Sequence, residues 1–161
     1  MFFDRVKELK KLNQIYNSNR FEFAIFYGRR RVGKTTLIRE FCKNKKAIYF
    51  VARKASNEVN LQNFSNDVFE MIEKYKSRNG YFWDWEKAFE YIYNISKDER
   101  IILVIDEYPY LAVGFHTISS IIQAHIDARL KEVNYVLHFA YLLHLLLHII
   151  CLKYALIVIR V

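Results

Sequence analysis

Cysteine, proline and glycine are scarce in this chain, whose 161 residues include two, one and four of them, respectively. Cys42 and Cys151 lie far apart and lack the short spacing of a metal-binding pair, which excludes a cysteine-rich metal module and indicates reduced, intracellular thiols. Internal repeats and low-complexity stretches are absent, which excludes a repeat or fibrous protein. No apolar core follows the basic residues among positions 1–11, so we predict no secretory signal and expect a cytoplasmic location.

The residues that are present have the composition of a globular domain, with 53% hydrophobic and 26% charged side chains. The charged residues are unevenly spread, because only Lys153 and Arg160 occur after residue 134. The segment 135–161 also contains no Gly, Pro, Ser, Thr, Asn, Gln, Asp or Glu. We therefore place a boundary at Asn134, with one domain over 1–134 and an apolar C-terminal tail over 135–161.

A phosphate-binding motif occupies residues 28–35, which read GRRRVGKT and match the pattern G-x-x-x-x-G-K-T. The apolar run 21–27 before it predicts a buried strand, and residues 36–41 after it predict a first helical turn, as the motif requires. Glycines let the backbone curve around an anion, Lys34 would reach the β- and γ-phosphates, and the Thr35 hydroxyl would hold Mg²⁺. The predicted phosphate-binding residues are Gly28, Arg29, Arg30, Arg31, Val32, Gly33, Lys34, Thr35 and Thr36.

A second part of the same site is predicted where five branched aliphatic residues, 101–105, are followed by Asp106 and Glu107. Such a run is typical of a strand covered on both faces, as in a parallel sheet. Asp106 would then lie at the carboxyl end of the strand, where open α/β sheets bind ligands, and could hold the Mg²⁺ that bridges the phosphates. Glu107 is placed to activate a water molecule as a general base. Taken alone, these acids could instead form a turn that ends the strand.

Helical and strand-like patterns alternate along the first 134 residues. We predict a helix before residue 17, a strand at 47–51, a polar connection over 52–60, helices over 61–75 and 85–93, a loop around Gly114 and a helix over 118–130. Strands separated by helices need crossover connections. The predicted fold class is therefore α/β, with a mostly parallel central sheet covered by helices.

Five segments resemble the archaeal-type ATPases, a branch of the AAA+ and signal-transduction P-loop ATPases. They are FFDRVKELKKL at the start, AIFYGRRRVGKTTLIREF around the loop, FWDWEKAFEYI in the middle, and IILVIDEYPYL followed by ISSIIQAHID. The resemblance covers residues 2–134 and implies a three-layer P-loop NTPase fold in which an inserted strand separates the acidic strand from the phosphate strand. It also implies ATP as the nucleotide and Mg²⁺ as the cofactor. By motif match, Lys34 and Glu107 would be catalytic, and Thr35 and Asp106 would bind the metal.

The chain departs from this family after the last predicted helix. The resemblance implies a strand that ends in a small polar cluster sensing the γ-phosphate, but residues 135–144 (YVLHFAYLLH) offer no hydroxyl or amide at that place. The segment could still complete the sheet as a strand. Family members continue into further domains. We expect neither a lid domain nor an arginine finger after this segment here, and arginine fingers supply factors of about 10³–10⁵ in rate. We therefore expect ATP binding to be better preserved than hydrolysis.

Three interpretations of the tail 135–161 stay open. It could be the end of a truncated or frame-shifted product, a genuine apolar helix that packs on the sheet or a partner, or a membrane anchor, since its length could span a bilayer core of about 30 Å. Three histidines and Lys153 count against the anchor. We therefore do not expect a membrane as a partner.

Two functional hypotheses follow from the sequence. The first is an ATP-binding P-loop domain whose Mg²⁺-dependent hydrolysis is weak or lost. The alternative is a DNA-associated switch, in which ATP occupancy controls DNA binding through a basic surface, because the net charge is +8. Arg29–Arg31 could contact phosphates, DNA or a neighbouring subunit, which would make self-association possible. ATP rather than GTP follows from the resemblance, and the guanine-reading Asn-Lys-x-Asp pattern is absent.

Overall fold

The computed structural model describes residues 5–18, 21–29, 31–73, 80–129, 137–142 and 157–160. Helices and strands alternate within these ranges. The helices are α1 (Val6–Tyr16), α2 (Lys34–Cys42), α3 (Asn57–Glu73), α4 (Trp85–Ile95), α5 (Tyr108–Gly114) and α6 (Ile118–Arg129). The strands are β1 (Glu22–Tyr27), β2 (Ala47–Val51), β3 (Ile101–Asp106), β4 (Leu137–Leu142) and β5 (Ile157–Arg160).

The strands form one sheet in the order β2-β3-β4-β1-β5, and each neighbouring pair is parallel. This confirms the predicted α/β class with a parallel sheet. Strand β4 lies between the acidic strand β3 and the phosphate strand β1, as the family resemblance implies. Its register is fixed on both sides, since Ala140 is opposite Ala24 of β1 and Val104 of β3.

The apolar run of β3 is buried at every position because helices cover both faces of the sheet. On one face, α1 and α2 pack against the even-numbered residues of β1 and β3. On the other face, α3, α4, α5 and α6 pack against the odd-numbered residues of the same strands. Alternation along each strand therefore decides which helical layer a side chain meets. Phosphate-loop helix α2 and the side chain of Asp106 belong to the same face.

Two local predictions were wrong. Helix α3 begins at Asn57, inside the predicted polar connection. The reason is that the buried Asn60 side chain hydrogen-bonds to the backbone of residues 53–56 and holds that loop over the start of the helix. Residues from Tyr108 to Gly114 form helix α5, where the sequence indicated only a loop around Gly114. Pro109 lies in its first turn, where a missing N–H removes no helical hydrogen bond.

Part of the predicted tail contributes strands β4 and β5, while residues 143–156 lie outside the described residues. The boundary at Asn134 stays a prediction. Among the helices that the structure describes, none combines the length and the apolar character needed to cross a bilayer.

Candidate functional site

The phosphate-binding motif forms the connection between β1 and α2. Gly33, immediately before α2, has a φ of 86°, a left-handed conformation that glycine adopts without steric cost. Arg31 is also left-handed, with a φ of 66°, so the loop curves sharply twice within three residues. The backbone therefore turns tightly and delivers the first turn of α2 to the carboxyl edge of the sheet.

Lys34 is the first residue of α2 and only 7% exposed. Its Nζ donates to the carbonyl oxygens of Gly28, at 2.9 Å, and Arg29, at 2.7 Å. The side chain thus folds back across its own loop, and the ammonium group joins the two ends of the motif. The loop is anchored from outside as well, because Arg5 donates to the carbonyl oxygen of Val32 at 3.2 Å.

Thr35 and Asp106, the two predicted metal ligands, meet although they are 71 residues apart. The Thr35 hydroxyl donates to Asp106 Oδ2 at 3.2 Å, and Asp106 is only 4% exposed at the end of β3. The other carboxylate oxygen, Oδ1, accepts the backbone N–H of Glu107 at 2.9 Å. A hydroxyl and a carboxylate are hard oxygen donors of the kind that Mg²⁺ takes together with phosphates. The two residues therefore fit that ion.

Tyr49 is a member of this cluster that the sequence analysis missed. Its hydroxyl donates to the same oxygen of Asp106, at 2.9 Å, and the Arg39 guanidinium lies 5.0 Å from its ring centre. Burial, and then the Asp106 carboxylate, raise the pKa of Tyr49, so the hydroxyl keeps its proton. The sequence feature that could have identified it is the alternation of side chains between the two faces of a strand, since Tyr49 lies two residues before the end of the predicted strand 47–51.

Glu107, the predicted general base, follows Asp106 in a left-handed conformation with a φ of 54°. That conformation costs a non-glycine residue on the order of 1–2 kcal/mol. Glu107 is partly buried and precedes α5, whose first turn is closed by a bond from the Tyr110 N–H to the Glu107 carbonyl. Backbone strain of this kind is concentrated at functional sites. The chain therefore changes conformation at Glu107, between the end of β3 and the start of α5.

Of the other predicted phosphate-binding residues, Arg29, Arg31 and Val32 lie on the loop and Thr36 lies in the first turn of α2. Arg29, Arg31 and Thr36 are exposed, whereas Val32 is partly buried. Arg30 lies outside the described residues. Among the residues that the structure does describe, no group of three His, Cys, Asp or Glu side chains could hold a metal ion by itself. A metal at this site would therefore need ligands from a bound phosphate or water in addition to Thr35 and Asp106.

Sequence comparison relates this chain to ATPase domains. Residues 2–145 match the family described as an ATPase domain predominantly from Archaea. An uncharacterized protein of Methanocaldococcus jannaschii is 37% identical over 132 residues, which make up 82% of this chain and 27% of that protein. An uncharacterized ATP-binding protein of the same organism is 52% identical over 46 residues, 29% of this chain and 78% of that protein. The chain thus spans about a quarter of the first relative.

Two solved structures have a similar fold. Cdc6p from Pyrobaculum aerophilum aligns with a TM-score of 0.62 at 20% identity, over 99% of this chain and 45% of that one. The Aeropyrum pernix ORC2 protein, solved as ADPNP–ADP complexes, aligns with a TM-score of 0.55 at 15% identity, over 88% of this chain and 42% of that one. These likenesses support the AAA+ P-loop fold and nothing finer. Because the family match covers most of the chain, the chain belongs to the ATPase domains found predominantly in Archaea.

Proposed function

We propose that this domain binds Mg-ATP between the phosphate loop and the end of β3 and hydrolyses it slowly. The observation that carries the proposal is the bond between Thr35 and Asp106, which joins the loop to the acidic strand on one face of the sheet. The buried Lys34 ammonium lies in the same loop. P-loop enzymes use a lysine ammonium group, a hydroxyl and a carboxylate, in this order along the chain, for phosphoryl transfer.

Each side chain has a definite task in this proposal. Lys34 would exchange its bonds to two loop carbonyls for bonds to the β- and γ-phosphates, while the N–H groups at the start of α2 face the same anion. Thr35 would turn its oxygen to Mg²⁺ and keep donating its proton to Asp106. Bound Mg²⁺ supplies neutralisation of the phosphate charge. Glu107 would take the proton from the attacking water.

Slow turnover is proposed because of what β4 contains. This strand lies between β3 and β1, so its carboxyl end adjoins both halves of the site. Its sequence, LHFAYL, has no Ser, Thr, Asn or Gln that could sense the γ-phosphate and position the water. Binding depends on Lys34, Thr35 and Asp106, whereas turnover also requires a well-placed water. We therefore expect clear ATP affinity with weak hydrolysis.

Titration with a fluorescent ATP analogue in Mg²⁺ tests binding directly. Lys34→Ala should weaken the affinity by about 30-fold or more, since a charge–charge contact at 4 Å is worth about 4 kcal/mol near a protein surface and the lost loop bonds offset part of it. Lys43→Ala is the matched control: this exposed lysine follows α2 and pairs with Glu40, so its removal should leave affinity within twofold. Equal affinity in the wild type and Lys34→Ala would refute the proposal.

Hydrolysis is tested in single turnovers with ATP labelled on the γ-phosphate. Glu107→Gln should keep the affinity for Mg-ATP within about threefold, because the backbone N–H that bonds Asp106 remains. It should lower any measurable rate by about 10²-fold or more, the usual contribution of a general base. An unchanged rate would remove Glu107 from the mechanism without affecting the binding proposal.

A second candidate function is a DNA-associated switch controlled by ATP occupancy. Arg29 and Arg31 are both exposed on the phosphate loop, and the chain carries a net charge of +8. A nucleotide would change the charge of this basic surface, so duplex DNA affinity should differ with and without Mg-ATP, and it should fall steeply as salt rises. Fluorescence anisotropy with a labelled duplex measures both effects. No binding at about 50 mM salt would exclude this function.

A further inference from the structure

We infer that Tyr49 is a positioning residue that sets the orientation of Asp106 for Mg²⁺, an inference that rests on the proposed function. Tyr49 belongs to neither of the sequence motifs, and it contacts the acid rather than the phosphate loop. Its hydroxyl lies 2.9 Å from Asp106 Oδ2, closer than the Thr35 hydroxyl at 3.2 Å. The two hydroxyls therefore share one carboxylate oxygen.

Strand register explains why this residue reaches the site. In the β2–β3 pair, Tyr49 is opposite Val104 and Val51 is opposite Asp106. Tyr49 and Asp106 therefore point to the same face of the sheet, the one that α2 covers. A tyrosine is long enough to extend over this offset of two residues along the strand, which places its hydroxyl at the strand end. A shorter side chain at this position would stop below the carboxylate.

A count of acceptor positions shows what the tyrosine does. A carboxylate offers about four lone-pair positions. In Asp106, Oδ2 accepts from Tyr49 and Thr35, and Oδ1 accepts from the Glu107 N–H. Donors on both oxygens fix the plane of the carboxylate and leave about one lone pair, on Oδ1, for Mg²⁺. Without Tyr49, only one long bond would restrain Oδ2.

The tyrosine ring also has contacts that do not involve its hydroxyl. The Arg39 guanidinium lies over the ring at 5.0 Å, and the residue is partly buried beside α2. Tyr49→Phe would therefore retain the ring and its packing and remove the hydroxyl with its bonds to Asp106 and Arg39. Removing a residue that hydrogen-bonds a metal ligand typically lowers the affinity for the metal by about 10–100-fold.

The experiment measures the Mg²⁺ concentration that gives half of the full nucleotide-binding signal, with the fluorescent ATP analogue held near saturation. For Tyr49→Phe we expect this concentration to rise about tenfold, while the affinity measured in EDTA stays within twofold. Tyr91→Phe is the matched control, because Tyr91 is a partly buried ring that packs on Phe69 and Phe82 away from the site. That control should leave both quantities unchanged.

The outcomes separate positioning from simple stabilisation. A lower melting temperature with an unchanged Mg²⁺ dependence would mean that the Tyr49 hydroxyl only supports the fold, and it would overturn the inference. An equal loss of affinity in Mg²⁺ and in EDTA would also overturn it, because Asp106 would then not be the residue affected. If the wild type binds no nucleotide under either condition, the proposed function fails and the inference fails with it.

Discussion

Replacing Asn60 with leucine tests how the loop between β2 and α3 is held. Asn60 is fully buried in the first turn of α3, and its amide bonds to the loop backbone on both sides. Its Oδ1 accepts the Arg53 N–H at 2.9 Å, and its Nδ2 donates to the carbonyls of Arg53 at 3.0 Å and Ser56 at 3.2 Å. A leucine of similar size would fill the space and leave these backbone groups without the amide.

The expected cost follows from the number of groups affected. A buried polar group that loses its partner costs about 1–3 kcal/mol, and water can replace part of this because Arg53 and Ser56 are exposed. We therefore expect Asn60→Leu to lower the free energy of unfolding by about 2–3 kcal/mol in urea titrations. Gln62→Leu, at an exposed position of the same helix, should change it by less than about 0.5 kcal/mol.

The refuting result is a stability for Asn60→Leu within about 0.5 kcal/mol of the wild type, since the amide bonds would then contribute nothing net. The loop also matters for the site. A Cβ placed on Gly114 would come within 3.0 Å of the Ala55 carbonyl oxygen, so the end of α5 packs directly on the anchored loop. Helix α5 therefore connects the anchored loop, at Gly114, with the residue that follows Glu107.

Three further predictions concern stability and reactivity. Phe64→Ala, which removes a fully buried ring packed on Phe50 and Trp85, should lower the free energy of unfolding by about 3–5 kcal/mol; a loss below 1 kcal/mol in urea titrations would contradict this packing. Burial and then Glu70 raise the pKa of Asp67 from 3.8 to about 6, so the free energy of unfolding falls as the pH rises through that range and the carboxyl group ionises. After allowing for solvent screening, Asp67→Asn should stabilise the fold by about 1 kcal/mol at pH 7.5 and not at pH 3.5. Equal effects at both pH values would refute this prediction. Burial raises the pKa of the Cys42 thiol to about 11, so little of it is thiolate at pH 8. Iodoacetamide at pH 8 should therefore modify Cys42 at least about tenfold more slowly in the folded protein than in urea, as followed by peptide mass spectrometry. Equal rates would refute the burial of this thiol.

Local patterns predicted the parts of the site that lie next to each other in the chain. The G-x-x-x-x-G-K-T motif between a strand and a helix placed Lys34 at the start of α2, and the aliphatic run placed Asp106 at the end of β3. The strand at 47–51 was predicted with its observed bounds. These predictions succeed because turn chemistry and burial on both faces leave a signature within a few residues. The catalytic and metal-binding roles themselves stay proposals.

Contacts between distant segments were missed for a different reason. Alternation along β2 showed that Tyr49 faces one side of the sheet, but not that β3 would be its neighbour or that Asp106 would lie two residues further along. The amide of Asn60 was assigned to a polar connection, because a buried polar residue and an exposed one look the same in a sequence. Only the folded chain shows which hydrogen-bond partners offset the free-energy cost of burying such a group.

The sequence by itself determined the phosphate loop, the acidic strand end and the family, since each depends on residue types at short, fixed spacings. The tertiary structure decided that Thr35 and Tyr49 converge on the same oxygen of Asp106. The physical reason is that crossover connections set the order of strands, and strand order sets which side chains share an edge of the sheet. That order is a property of the whole packed domain, and no single segment contains it.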